Sequence, residues 1–206
     1  MIVHGCAWGN IGTRLDSILR TPDNGHQLKN YISLWVGYGI PDIAKVLYCT
    51  DQRVSLLGFG QLNNDEAHIF RLPMPPSLSA KREKRKLTVT LAWLSPTSPT
   101  TQKYRTASLW FEVSNEILAA TRTDAEWRSV RRGTVQHEIF QGEQAVPLVD
   151  GDSLEIKVNC RNDAAKIPEA VSYGIVVSLE VAEGVNIEIY NEVRQRVRPA
   201  VRVLPL

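Results

Sequence analysis

Apolar positions change their period partway along this chain. From His26 to Val36, Leu28, Tyr31, Ile32 and Trp35 fall at i, i+3, i+4 and i+7, which predicts one apolar face of a helix. Gly37-Tyr38-Gly39 ends that helix, because two glycines let the backbone turn sharply. Pro41 then suits a first helical turn and Asp42 suits its N-terminal dipole. Ile43, Ala44, Val46 and Leu47 give a short second helix its apolar side, to about Tyr48. Residues Met1 to Gly9 are almost wholly apolar or small, with no capping residue and no Lys, Arg, Asp or Glu. That reads as a core helix cut partway along, with part of the function lying upstream. It does not read as a secretory signal, since His4, Gly5 and Gly9 break the run and no basic residue precedes it.

After Thr50 the period becomes two. Strands are predicted at Arg53–Phe59 and at Ala67–Leu72, the second stopped by Pro73, Pro75 and Pro76. Asn63-Asn64-Asp65 supplies the turn between them. Lys86–Leu94 alternates most strictly and leads into a loop, Ser95–Thr101. Further strands are predicted at Thr106–Val113, 129–140, 153–160 and Val171–Val181, with Asp150-Gly151 as a turn. In Val185–Arg198, Ile187, Tyr190, Val193 and Val197 recur at helical spacing before Pro199. A strand over 185–190 is the competing reading there. Short strands between Pro, Gly and Asn loops predict a mainly β fold. The fold class expected is an antiparallel β-sandwich, jelly-roll-like, preceded by a short helical segment and ending in a helix.

Composition narrows the function classes. A chain of 206 residues suits one domain or one and a half. Its net charge of +2 argues for neither nucleic acid nor a membrane as a general partner. No run of 18 apolar residues occurs. Cys6, Cys49 and Cys160 are odd in number, far apart and without a histidine at ligand spacing. They read as buried free thiols in a reducing, cytoplasmic compartment rather than as a disulfide framework or zinc site. No cofactor and no metal is expected.

Candidate chemistry is sparse. Among His4, His26, His68 and His137, none has partners at a recognised catalytic spacing, and His137-Glu138 lacks the second histidine of a zinc-protease helix. His4 reads as a hydrogen-bonded histidine at a core boundary, and His68 as a strand residue facing solvent or a rim. Gly58-Phe59-Gly60 reads as a strand end, because no helix start or lysine follows as in a phosphate cradle. Lys81-Arg82-Glu83-Lys84-Arg85-Lys86 could meet an anionic partner. In a nearly neutral chain it reads better as a solvated loop guarding an apolar strand, as do Arg128, Arg131 and Arg132. Trp93 and Trp110 read as core residues of a sandwich; a glycan platform would need them exposed on one face.

Two segments carry a resemblance. Met1-Ile2-Val3-His4-Gly5-Cys6-Ala7 looks like the end of the buried helix that follows the nucleophile helix of a subtilase. Gly37-Tyr38-Gly39-Ile40-Pro41-Asp42-Ile43-Ala44 looks like the Gly-x-Gly turn and short helix that close that catalytic domain. Phe70–Pro75, Leu87–Trp93 and Tyr104–Leu109 look like the β-sandwich that many members carry next. The chain thus resembles the C-terminal portion of a bacterial subtilisin-like serine peptidase. The resemblance implies that residues 1–50 are the end of a catalytic domain and residues 51–206 an accessory sandwich. It implies that the catalytic Asp, His and Ser and the oxyanion-hole Asn lie upstream. No Gly-Thr-Ser occurs; Gly12-Thr13-Arg14 and Gly133-Thr134-Val135 lack the serine. No catalytic residue is assigned, and the chain alone is expected to be inactive. The sandwich would stabilise or position the peptidase domain, or aid substrate recognition. The expected partner is the upstream catalytic domain, with self-association through residues 1–48 as a further expectation. The alternative is an independent jelly-roll-type binding module for protein or glycan.

Overall fold

The computed structural model describes residues 1–25, 27–79, 84–99, 105–114, 121–122, 133–142, 151, 153–163, 169–182, 185, 187–197 and 202–205. The N-terminal part is a helical layer. A 3-10 turn at Ile2–Gly5 leads into β1 (Cys6–Ala7) and α1 (Gly9–Leu19). Next come α2 (Leu28–Val36), β2 (Ile40–Pro41) and α3 (Ile43–Leu47). β1 and β2 pair antiparallel, Cys6 opposite Pro41. Residues 1–9 are therefore not one helix: the chain turns, extends and then starts α1. Pro41 lies in β2, and Asp42 is the cap of α3, its carboxylate accepting from the amides of Ala44 and Lys45.

The remainder is a sandwich. Its strands are β3 (Arg53–Leu62), β4 (Glu66–Pro73), β5 (Arg85–Trp93), β6 (Ala107–Val113), β7 (Thr121–Arg122), β8 (Val135–Gly142), β9 (Ser153–Asn162), β10 (Val171–Val181) and β11 (Arg202–Pro205). A helix, α4 (Ile189–Arg196), follows β10. The sheets run β3-β10-β5-β8-β7 and β11-β4-β9-β6, and every described pairing in them is antiparallel. From β3 to β6 and again from β8 to β10, successive strands alternate between the two sheets. That alternation is the winding of a jelly roll.

Alternation along each strand builds the core. β5 turns Leu87, Val89, Leu91 and Trp93 inward, and β10 turns Tyr173, Ile175, Val177 and Leu179 inward. β9 answers with Leu154, Ile156, Val158 and Cys160, and β6 with Leu109 and Phe111. Each fully buried aliphatic side chain contributes about 1.5–3 kcal/mol. α4 closes one end with Ile189 and Val193, both wholly buried. The terminal helix is thus shorter than predicted, and among the described residues Val185, Ile187 and Glu188 are not helical.

Several expected placements are corrected. α1 was not foreseen. β3 runs through Gly58-Phe59-Gly60 to Leu62 instead of ending there. His68 is buried and faces the core, its Nδ1 2.5 Å from the Tyr173 hydroxyl. Trp93 is a core residue, but Trp110 is half-buried, lies beneath the Arg161 guanidinium and donates to Glu112. Cys49 is exposed, while Cys6 and Cys160 are buried and all three are free thiols. In the basic run, Arg85 belongs to β5, is 1% exposed and donates to the Leu78 carbonyl. Lys86 lies 3.9 Å from Glu180. Those two residues are strand, not solvated loop, because the strand's inward and lateral positions take them in. Residues 81–83, together with His26, Arg128, Arg131, Arg132 and Asp150, lie outside the described residues.

Candidate functional site

The outer face of the five-stranded sheet is where the helical layer docks. Register places its outward side chains in rows across the strands. Ser55, Ser178, Thr88 and Ile139 form one row. Leu57, Val176, Thr90 and His137 form the next. An open sheet face would leave these positions in water, yet Thr88, Thr90, His137, Ile139, Val176 and Ser178 are buried. The 3-10 turn Ile2–Gly5 covers them and aims His4 into the middle. Gly5 lets the turn pack closely on α3, since a Cβ there would lie 2.6 Å from both the Asp42 carbonyl oxygen and a Val46 methyl. Gly39 is equally constrained: its φ is +95°, and a Cβ would lie 2.2 Å from the Ala7 carbonyl oxygen.

A chain of hydrogen bonds runs through this seam. Ser55 Oγ lies 2.6 Å from Ser178 Oγ, which lies 2.6 Å from His4 Nε2. His4 Nδ1 lies 2.9 Å from Thr90 Oγ1, which lies 2.7 Å from His137 Nδ1. His137 Nε2 ends the chain 3.0 Å from the Cys6 carbonyl oxygen. The two imidazole rings stand edge to face with centroids 6.4 Å apart. Tyr38 packs edge-on against His137 and donates its hydroxyl to the Val135 carbonyl at 2.6 Å. Arg53 ties α3 to the sheet through the carbonyls of Ala44 and Tyr48. Beside His4 lies a cavity of about 20 Å³ lined by Lys45, Arg53, Lys86 and Glu180.

Chemically, the seam is a dock and not a reaction centre. Ser178 and His4 stand at the distance of a nucleophile and its base, but His4's other nitrogen meets Thr90, and no carboxylate is bonded to the ring. Burial first, then the positive surroundings of His137, the Met1 amino group, Lys86 and Arg53, push His4 down to about 3. Such a weak base draws no proton from a hydroxyl at neutral pH. Both side chains are also closed to a substrate. His68 is held neutral in the core, its pKa lowered by burial and only partly restored by Glu66. Among the described residues, no group of three His, Cys, Asp or Glu side chains is placed to hold a metal ion.

The outer side of the helical layer differs. Trp8, Leu28 and Ile32 form a small second core with Leu15, Leu19 and Val36. Trp8 Nε1 anchors it to the Gly37 carbonyl at 2.9 Å. The apolar stripe expected on α2 is therefore turned: Leu28 and Ile32 go inward, whereas Trp35 is 78% exposed and Tyr31 is exposed too. Leu34 is 73% exposed, and Ile18, Ile40, Ile43 and Leu47 are also exposed. An open groove of about 560 Å³ lies between α1, α2 and the sheet, lined by Trp8, Gly12, Ile32, Lys29, Lys45 and Lys86.

Fold and site together define a jelly-roll-type sandwich with a helical layer bound to one sheet and apolar on its outer side. No family model matches the chain. It is similar to the uncharacterized protein y4bN of Sinorhizobium fredii, 24% identical over 186 residues. That match takes in 79% of this chain and 42% of the relative, so the chain spans less than half the relative's length. Among solved structures, it is similar to a chain of the acidic stable capsid of Helicobacter pylori bacteriophage KHP30, at 11% identity and TM-score 0.31. That match covers 75% of this chain and 98% of the capsid chain, a likeness too slight to carry an argument. No helix among the described residues is long and apolar enough to cross a membrane.

Proposed function

We propose that this chain acts as the non-catalytic C-terminal part of a subtilisin-like serine peptidase. The helical layer is the edge of the catalytic domain, and the sandwich stabilises or positions that domain or aids substrate recognition. The observation that supports this reading is the exposed apolar side of the layer. Trp35, Leu34, Ile18, Ile43 and Leu47 face water although each would gain about 1.5–3 kcal/mol from full burial. Soluble monomers rarely present such a patch unless a partner covers it. An upstream catalytic domain is the partner this reading supplies. A cytoplasmic location goes with it, supported by the three free cysteines. Sequencing the gene through and beyond the Met1 codon tests the reading. An open frame encoding Asp, His and Gly-Thr-Ser in that order is expected; a stop codon directly before Met1 overturns it.

A second reading, an independent binding module for protein or glycan, draws on the seam. The bonds from His4 and His137 make the layer a cap on its own sandwich. A chain that stays monomeric at high concentration would favour this reading over the first.

A further inference from the structure

The seam's hydrogen bonds can run in only one sense while both histidines are neutral. The Cys6 carbonyl can only accept, so His137 carries its proton on Nε2 and its Nδ1 must accept. Thr90 therefore donates to His137, and its oxygen accepts from His4 Nδ1. His4 Nε2 is then an acceptor; Ser178 donates to it and accepts from Ser55. Of these five hydrogen bonds, three join the helical layer to the sheet, from His4 to Thr90 of β5 and Ser178 of β10 and from His137 of β8 to Cys6, while Ser55–Ser178 and Thr90–His137 link strands within the sheet.

We propose that this relay is a pH-sensitive latch: it holds the helical layer on the sandwich while His4 and His137 are neutral, and acidification releases the layer. A proton added at His4 Nε2 turns Ser178 from donor to acceptor. Ser178 must then turn its own hydroxyl proton away from His4, although its oxygen can still accept from Ser55. With both rings charged, Thr90 Oγ1 would face two N–H groups and its own hydroxyl proton would point at neither nitrogen. The charges around His4 oppose protonation as well. The Met1 amino group, Arg53 from β3, Lys86 from β5 and Lys45 from α3 are positive. Glu180 from β10 is the one carboxylate among the described residues lining the adjacent cavity, and it lies 3.9 Å from Lys86. His4 and Tyr38 pack against the His137 ring and Cys6 bonds it through its carbonyl; burial pushes both the Tyr38 phenol and the Cys6 thiol up, so both stay neutral.

His4 is held at about 3 when docked and returns toward 6.5 when the layer opens. The open state therefore binds more protons between those values. Docking is at full strength above pH 6.5 and weakens as pH falls toward about 3, about tenfold in the opening equilibrium per pH unit.

Amide hydrogen exchange on the full chain at pH 7 and pH 4.5 tests the latch, with β5 and β10 as the internal reference. Protection in α1 and α2 should fall about a hundredfold more than protection in those strands. Helices and strands that move together, or helices that do not move, overturn the proposal. Imidazole 15N NMR on the same unmodified protein gives a second readout that requires no variant. At pH 7, His4 should be protonated at Nδ1 and His137 at Nε2. A charged His4 ring at pH 5 with fully protected helices would also overturn it.

Discussion

A Cβ at Gly60 would lie 2.9 Å from both His68 Nδ1 and the Tyr173 hydroxyl, two polar atoms that hold each other in the core. Replacing Gly60→Ala must push that pair apart, and we expect a loss of about 1–3 kcal/mol in urea unfolding. Tyr173→Phe should cost a similar amount, about 1–3 kcal/mol, because it leaves the buried His68 Nδ1 without its partner. A cost below measurement error in either variant would mean that the pair is not structural. His68 adds a pH dependence of fixed sign. Burial lowers its pKa, so its neutral form favours the fold, and stability should fall as pH drops below the ordinary histidine value. Little of this was legible in the residues alone. Ala67 and His68 are both buried, so alternation could not say which face β4 turns inward. The opening that admits the imidazole is a glycine on the neighbouring strand in sequence, and its purpose shows only when β3, β4 and β10 come together.

Elements were legible where one face was strictly apolar. β5 lies within a residue of its expected bounds because Leu87, Val89, Leu91 and Trp93 alternate with small or polar neighbours. α2 and α3 were also readable from spacing and from the glycines and Asp42 that bound them. α1 was not. It starts without a side-chain cap and carries Gly9 and Gly12, two residues that weaken a helix, although Ile11, Leu15, Ile18 and Leu19 hold helical spacing. Periodicity also chose the wrong edge of α2, because Trp35 counts as core by type and lies 78% exposed. That exposure yields a prediction for the element. Leu34→Glu with Trp35→Glu should change unfolding free energy by no more than about 0.5 kcal/mol per site. The same variant should reduce self-association of the full chain in sedimentation velocity. A large loss of stability would show that this face is already covered within one copy.

At the scale of the whole molecule, two kinds of attachment coexist. The sandwich buries an apolar core made by its own sheets, whereas the helical layer is joined to it through hydroxyls and imidazoles and keeps much apolar surface outside. The jelly-roll class was readable from strand patterning. The seam was not, because Ser55, Thr90, His137, Ser178 and His4 are spread across the chain and meet only through register. The proposal that this molecule completes a serine peptidase without supplying its chemistry has one direct test. Protein captured from its native cells with an antibody to the sandwich is treated with a fluorophosphonate serine-hydrolase probe, and the labelled peptide is sequenced. The account predicts a labelled serine in a Gly-Thr-Ser context N-terminal to Met1 and no label on any serine within residues 1–206. A label on Ser178 or another serine of this chain, or captured protein that begins at Met1 and takes no label, would contradict it.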